Sequence, residues 1–309
     1  MDRRMLFIFN PKAGKGGIKT KLAQILDIYI QAGFRVEVYV TQGPLDAARI
    51  VKERGQEFDI VAASGGDGTL NEVITGAMAL EHRPQIGYIP SGTTNDFGFT
   101  HHIPKDMIRA AHNVAEGSPC AVDIGSLNDR YFAYVAAFGV FTDVPYKTKR
   151  ELKAILGYPA YLLEVTKSLG DIKAQHVALE VDGNMYEGDV LVGMVSNADQ
   201  IAGIRGLGGR HAATDDGKFE VLLVENPQNL MQLTDIVNGI LNNGHKSKFL
   251  KHFSGSDIRF VLETTSEWVI DGEFGGEFKE AMITDHARAV DIIKPVRQPA
   301  RALAGQDQG

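Results

Sequence analysis

Ala63-Ser64-Gly65-Gly66-Asp67-Gly68-Thr69-Leu70-Asn71-Glu72-Val73 reads as the end of a strand, a glycine-rich turn and the first turns of a helix. Residues 59–63 form the short apolar run of a buried parallel strand, and Leu70, Val73, Ile74 and Ala77 recur at helical spacing directly after the turn. Gly65, Gly66 and Gly68 remove side chains, so the backbone can approach a ligand and several N–H groups can converge at a helix N-terminus, which favours phosphate. Asp67 is the odd member, because a carboxylate in a phosphate cradle repels its ligand unless a divalent cation lies between them. That combination points to a magnesium nucleotide. A tight strand-to-helix connection, with Asp67 capping the helix, is the alternative that this turn alone leaves open.

The 309 residues suit two domains or one large one, and a hydrophobic content of 44% is enough for real cores. No apolar stretch approaches the roughly 20 residues needed to span a bilayer. The run at 5–9 is too short for a secretory signal, so the expectation is a cytoplasmic protein. Cys120 is the single cysteine, which excludes an internal disulfide and a cysteine-based zinc site. A formal net charge of −7 argues against a nucleic-acid-binding surface and against adhesion to anionic lipid through overall charge, leaving only a local basic patch for that purpose.

Residues 5–9, a buried-strand candidate, end at Asn10-Pro11-Lys12-Ala13-Gly14-Lys15-Gly16-Gly17, a second glycine-rich turn, after which Leu22, Ile25, Leu26 and Tyr29 mark one face of a helix. This turn lacks the spacing of the common phosphate loop, because Thr20 does not follow Lys15 directly. Lys12 and Lys15 are either solvated loop charges or contacts for nucleotide phosphates or lipid headgroups. Residues 35–40 alternate like a strand, 41–44 form a turn, and 45–54 read as a helix. A further strand at 86–89 ends at Pro90-Ser91-Gly92-Thr93-Thr94-Asn95-Asp96-Phe97. Four strands alternating with helices predict a mostly parallel, doubly wound α/β domain over 1–122, with ligands at the carboxyl ends of its strands. Such a fold gathers Asn10, Gly14, Asp67, Thr69, Asn71, Thr93 and Asp96 on one edge of the sheet.

Asn10-Pro11-x-x-Gly14, Gly65 to Val73 and Gly92-Thr93-Thr94-Asn95-Asp96-Phe97, in this order and spacing, resemble the diacylglycerol kinase catalytic domain family, and most of all its soluble bacterial members. The similarity continues through Val122-Asp123-Ile124-Gly125, Asp215-Asp216-Gly217 and Ile270-Asp271-Gly272-Glu273, so it spans nearly the whole chain. The Gly-Gly-Asp-Gly-Thr element alone also resembles NAD kinases and 6-phosphofructokinases, while its Leu-Asn-Glu-Val continuation favours lipid kinases. The resemblance implies ATP-dependent phosphorylation of a lipid hydroxyl, with nucleotide in a cleft between an α/β domain and a β-rich domain. It also implies a homodimer.

Beyond Gly117 the texture becomes strand-like, at 121–124, 130–137, 176–181, 186–195, 218–224, 258–262, 267–270 and 282–283. The expectation is an antiparallel β-sandwich over 123–289, with a final strand at 290–293 that returns to the first domain, completing it over 290–300, and a tail at 301–309. Two helical stretches interrupt this half, 149–169 and 230–241. Asp215-Asp216-Gly217 is locally a turn. In the related kinases the corresponding turn holds a structural magnesium, which maps here to the Asp216 carboxylate with the carbonyls of Ala213 and Lys218.

Phosphoryl transfer requires that ATP be positioned, its charge neutralised by Mg²⁺, and the acceptor hydroxyl deprotonated as it attacks. Asp271 and Glu273 suit the last role, although Asp271-Gly272 also reads as a hairpin turn. The assignment made here is Glu273 as proton acceptor, with Asp67 its rival, and Asp67 and Asp96 organising metal and water. Thr41, Thr69, Asn71, Glu72 and Thr93 bind nucleotide, together with Asn10, Pro11, Lys12, Ala13 and Gly14 of the second turn and Gly65, Gly66, Gly68 and Leu70 of the first. A lipid substrate requires peripheral contact with a membrane surface, for which Lys12, Lys15, the lysines at 147–153 and Lys167 are candidates. Diacylglycerol leads sphingoid bases, ceramide and phosphatidylglycerol as acceptor. An NAD kinase and a non-catalytic nucleotide or lipid sensor are the readings from other classes.

Overall fold

The structure, a computed structural model, describes residues 3–14, 16–139, 174–201, 204–205, 207, 213–241 and 247–296. The helix expected at 149–169, Lys15, the lysines at 147–153, Lys167, the last part (297–300) of the 290–300 completion expected for the first domain and the tail at 301–309 lie outside the described residues.

Four parallel strands carry the first part of the chain: β1 (Arg3–Phe9), β2 (Phe34–Val40), β3 (Ile60–Gly65) and β4 (Gln85–Pro90), in the spatial order β4-β3-β1-β2. Burial follows position. β3, with a neighbour on each side, is buried along its whole length, whereas β2 at the edge buries only Phe34. The connecting helices are α1 (Ile18–Gln31), α2 (Asp46–Arg54), α3 (Asp67–Met78), α4 (Asp96–Thr100) and α5 (Met107–Glu116). α3 buries Leu70, Val73, Ile74 and Ala77 completely, the stripe that their spacing predicts. At roughly 1.5–3 kcal/mol for each large apolar side chain taken out of water, this stripe anchors the helix whose first residue is Asp67.

After α5 the pairing is antiparallel, through β5 (Ser118–Leu127), β6 (Arg130–Phe132), β7 (Val135–Gly139), β8 (Gln175–Val181) and β9 (Asn184–Ser196). β10 (Gln200–Ile201) and β11 (Ile204–Arg205) form a separate pair. β12 (Phe219–Glu225), helix α6 (Leu230–Leu241), β13 (Leu250–Gly255), β14 (Asp257–Ile270) and β15 (Glu273–Lys294) complete the described chain. β9, β7, β14 and β8 pair in a closed circuit around a core in which the rings of Phe138 and Phe260 meet Trp268 at 4.7 and 5.5 Å between centroids.

Two long strands differ from the sequence pattern. Residues 257–270 form one strand rather than two, because β14 exchanges partners, pairing with β8 at 258–262 and with β7 at 268–270. The exposed Glu263, Thr264 and Thr265 in between carry no apolar alternation. β15 runs unbroken for 22 residues, pairing with β14 in its first half and β5 in its second, and Ile292 pairs in parallel with Ile86 of β4. One strand therefore joins the antiparallel and parallel parts. The boundary expected at residue 122 falls within β5, which pairs with β15 on both sides of it.

Candidate active site

Three turns at the carboxyl ends of β1, β3 and β4 are in contact. The Asn10 N–H donates to the Ser64 carbonyl at 2.9 Å, its Oδ1 accepts the Lys12 N–H at 2.9 Å, and its Nδ2 donates to Thr69 Oγ1 at 3.4 Å. Gly14 has φ +55°, and a β-carbon there would lie 2.3 Å from the Ser91 carbonyl oxygen, so the first and third turns touch where only glycine fits. A β-carbon on Gly92 would lie 2.5 Å from Gly66 Cα, which brings the second and third turns equally close. Asn95 adopts a left-handed φ of 54° and closes its own loop, accepting the Gly92 N–H at 3.0 Å and donating to the Gly92 carbonyl at 3.1 Å. Thr41 is half-buried with its N–H on the Phe9 carbonyl at 3.1 Å, Pro11 is half-buried, Ala13 is buried, and Lys12 and Thr93 are exposed.

Four carboxylates from distant parts of the chain lie near these turns, although among the described residues no three of them come close enough together to hold a metal by themselves. Asp67 opens α3 without capping it, so the capping alternative is set aside: Gly66 is the cap residue, with no side-chain bond. Asp67 Oδ2 accepts the Asp96 N–H at 3.3 Å, while Oδ1 is buried without any partner. Burial, followed by the negative charges of Asp96 and Asp271, pushes its carboxyl up to about 7. Asp96 is buried and its Oδ1 accepts Gln200 Nε2 at 2.9 Å. Glu273, exposed at the start of β15, lies over the glycine-rich turn, with Oε1 3.5 Å from the place a β-carbon of Gly68 would occupy. An orphaned carboxylate oxygen next to a second carboxylate is the donor chemistry of a hard divalent cation, so these residues fit magnesium.

Asp271 and Glu273 separate in role. Asp271 is buried, and its oxygens accept the N–H groups of Ala133, Tyr134 and Val135 and the Asn71 amide. With its acceptor positions filled Asp271 is no candidate for the proton acceptor. Two residues assigned to nucleotide binding have side chains engaged elsewhere. The Glu72 carboxylate accepts the N–H groups of Leu45 and Ala47 at 2.9 and 3.1 Å, satisfying the start of α2. The Asn71 amide donates to Asp271 Oδ2 and to the Tyr131 carbonyl. Gln200 entered the site unforeseen, since a lone glutamine after a strand carries no local signature.

Ala213, Asp216 and Lys218 are exposed on one loop, well apart in sequence from the acids above. The loop is tied to β5 by Asp123, whose N–H donates to the Thr214 carbonyl at 2.8 Å and whose Oδ2 accepts the Gly217 N–H at 2.8 Å. Asp216 Oδ1 accepts the Lys218 N–H at 3.2 Å. Half-buried Asp285 leaves both oxygens without a partner, and burial, followed by the negative charges of Asp123 and Asp216, pushes it up to about 7. Among the described residues no three His, Cys, Asp or Glu side chains converge to hold a metal by themselves, so a cation on this loop would depend on carbonyl oxygens.

Residues 4–127 match the family model of the diacylglycerol kinase catalytic domain. The chain is 35% identical over 301 residues to a diacylglycerol kinase of Staphylococcus aureus (strain bovine RF122 / ET3-1), covering 96% of this chain and 93% of that protein. The diacylglycerol kinase of Staphylococcus aureus strain MRSA252 is similar to the same extent. The crystal structure of a diacylglycerol kinase from Bacillus anthracis str. Sterne superposes with a TM-score of 0.79 at 25% identity, covering 94% of this chain and 97% of that one. A second structure from that organism gives 0.81 at 26% identity over the same shares.

Proposed function

The chain belongs to the diacylglycerol kinase family, and from that premise we propose that it transfers the γ-phosphoryl group of ATP to the free hydroxyl of diacylglycerol, forming phosphatidic acid. The observation that carries the site assignment is the meeting of Glu273, from the last strand, with the Gly65–Gly68 turn that precedes α3. Nucleotide would lie on the doubly wound α/β part, 1–122 completed by 290–300. Acceptor would lie on the β-rich part, 123–289, packed as a sandwich.

Asp67, with Asp96 beside it, would hold Mg²⁺, and the ion when bound neutralises phosphate charge. The N–H groups of the three turns orient the triphosphate. Glu273 accepts the proton of the acceptor hydroxyl while the hydroxyl oxygen forms the new bond to the γ-phosphorus and the bond to ADP breaks. Exposure leaves Glu273 reachable by an alcohol arriving from outside. Asp67 is the second reading for this step, because its Oδ1 is left without a partner beside the glycine-rich turn. The loop of Ala213, Asp216 and Lys218 would hold a second, structural Mg²⁺. Contact with membrane is peripheral and involves Lys12, which is exposed, and the enzyme acts as a homodimer. No helix among the described residues is long and apolar enough to cross a membrane.

Labelled ATP offered with diacylglycerol, sphingosine, ceramide, phosphatidylglycerol or NAD tests the acceptor, and label in phosphatidic acid alone is the expected result. Glu273→Gln is expected to abolish turnover while ATP still binds. Full turnover by that variant would transfer the base to Asp67.

A further inference from the structure

Asp271 is a buried carboxylate with every acceptor position engaged, placed two residues before the proposed base. It sits in the tight turn between β14 and β15, with φ 47° at Asp271 and 87° at Gly272. Its Oδ1 accepts the N–H groups of Tyr134 and Val135 at 3.0 and 3.1 Å, and its Oδ2 accepts the Ala133 N–H at 2.6 Å and Asn71 Nδ2 at 2.7 Å. Its own N–H donates to the Val135 carbonyl at 2.9 Å. Three donors come from one backbone segment within the β-rich part. The fourth comes from α3, and it is the one that ties the hairpin to the helix of the glycine-rich turn.

Asn71 lies one helical turn after Asp67, on the side of α3 that faces the hairpin. Its amide nitrogen spends both hydrogens on the far part of the chain, one on Asp271 and one on the Tyr131 carbonyl at 3.0 Å, and its oxygen is 3.5 Å from the Thr75 hydroxyl. An amide so engaged has no donor left for a phosphate. Glu273, by contrast, makes none of these bonds, and its position over Gly68 depends on where the hairpin is held. A hydrogen bond to a buried charge is worth more than a neutral one and fixes geometry accordingly.

We propose that Asn71 and Asp271 are positioning residues of the phosphoryl transfer: the Asn71 amide, bonded to the Asp271 carboxylate, sets the hairpin that presents Glu273 to the glycine-rich turn, and it is not a ligand of the nucleotide. This rests on Glu273 being the base. The pair couples the two parts of the chain at the point where the reacting groups must align, so a shift of the hairpin by a fraction of an ångström misplaces the base and leaves the nucleotide cradle intact.

Asn71→Ala tests the pair, because the three backbone donors still satisfy Asp271 and the fold is retained. The expected result is a fall in kcat of roughly 10- to 100-fold, the range carried by one hydrogen bond to a charged group. ATP affinity by calorimetry should stay within about twofold. Amide hydrogen exchange in the peptide spanning 266–278 should accelerate. An unchanged kcat overturns the proposal, as does a loss of ATP affinity in step with kcat, which would make Asn71 a nucleotide ligand. Should the alanine variant fail to fold, Asn71→Ser carries the same readings. An inactive Glu273→Gln beside a fully active Asn71→Ala sinks this inference alone, whereas an active Glu273→Gln sinks the assignment of the base.

Discussion

Alanine at Gly14 and at Gly33 separates backbone strain from the packing of the three turns. Both glycines have positive φ, +55° and +86°. At Gly33, just past α1, a β-carbon would meet no heavy atom within 4 Å, so Gly33→Ala incurs only the left-handed penalty of about 1–2 kcal/mol. With an unfolding entropy of about 0.65 kcal/mol/K for a chain of this length, that lowers Tm by about 2–3 °C. At Gly14 the same penalty is joined by a contact of 2.3 Å with a backbone oxygen, which must open by about 1 Å to become an ordinary one. Overpacking against backbone adds about 1–3 kcal/mol, for a Tm lower by about 3–8 °C. The displaced loop is the one that cradles phosphate in our assignment, and losing one hydrogen bond to a charged ligand costs about 1.5–3 kcal/mol, or about 10- to 100-fold in affinity. Calorimetric titration with ATP should therefore show at least about a tenfold loss for Gly14→Ala and none for Gly33→Ala. Equal ATP affinity in the two variants would refute the role of the 10–14 turn, and equal Tm values would refute the strain argument.

His101 is buried, its ring 4.1 Å from that of Phe97, and burial, then the charges of Lys294 and His102, hold it well below its ordinary value of 6.5. It folds neutral, so its contribution to stability is complete above pH 6.5 and is lost as the pH falls. His101→Phe should flatten the fall of the urea midpoint below that pH, and identical slopes would count against it. Asp67, raised to about 7, has the opposite sign: its contribution is complete below its unfolded value of 3.8 and is lost as the pH rises through 7. In chelator, Asp67→Asn should gain Tm relative to the native chain at pH 8 more than at pH 5 while losing turnover, and a pH-independent difference would exclude a desolvated carboxylate. Magnesium should raise the Tm of the native chain more than that of Asp216→Ala, and equal shifts would remove the 213–218 loop as a cation site.

Much of the parallel part was legible because its signals are local. The apolar runs at 5–9 and 59–63, the helical stripe from Leu70 to Ala77 and the glycines of each turn are patterns within a few residues of one another. A strand must bury such a run, and a turn must spare such a side chain. The contact among the turns follows from the order of strands, since ligand turns of a parallel sheet share an edge.

What lies across the chain was not legible. Asp271 and Glu273 are equivalent acids by spacing, yet one is enclosed by donors from residues 133–135 and from Asn71, while the other stays open. Glu72 reads as a ligand from its spacing, whereas its carboxylate accepts the N–H groups that open α2, a partnership no local pattern announces. β15 reads as fragments because its buried positions change sides as it passes from β14 to β5 and β4. The sequence by itself determined which short segments extend, coil or turn, and which residue types could serve a phosphate. Tertiary structure alone decided which acid is solvated and which is saturated, because a side chain's hydrogen-bond partners are set by segments some 200 residues away, and no periodicity within a segment records them.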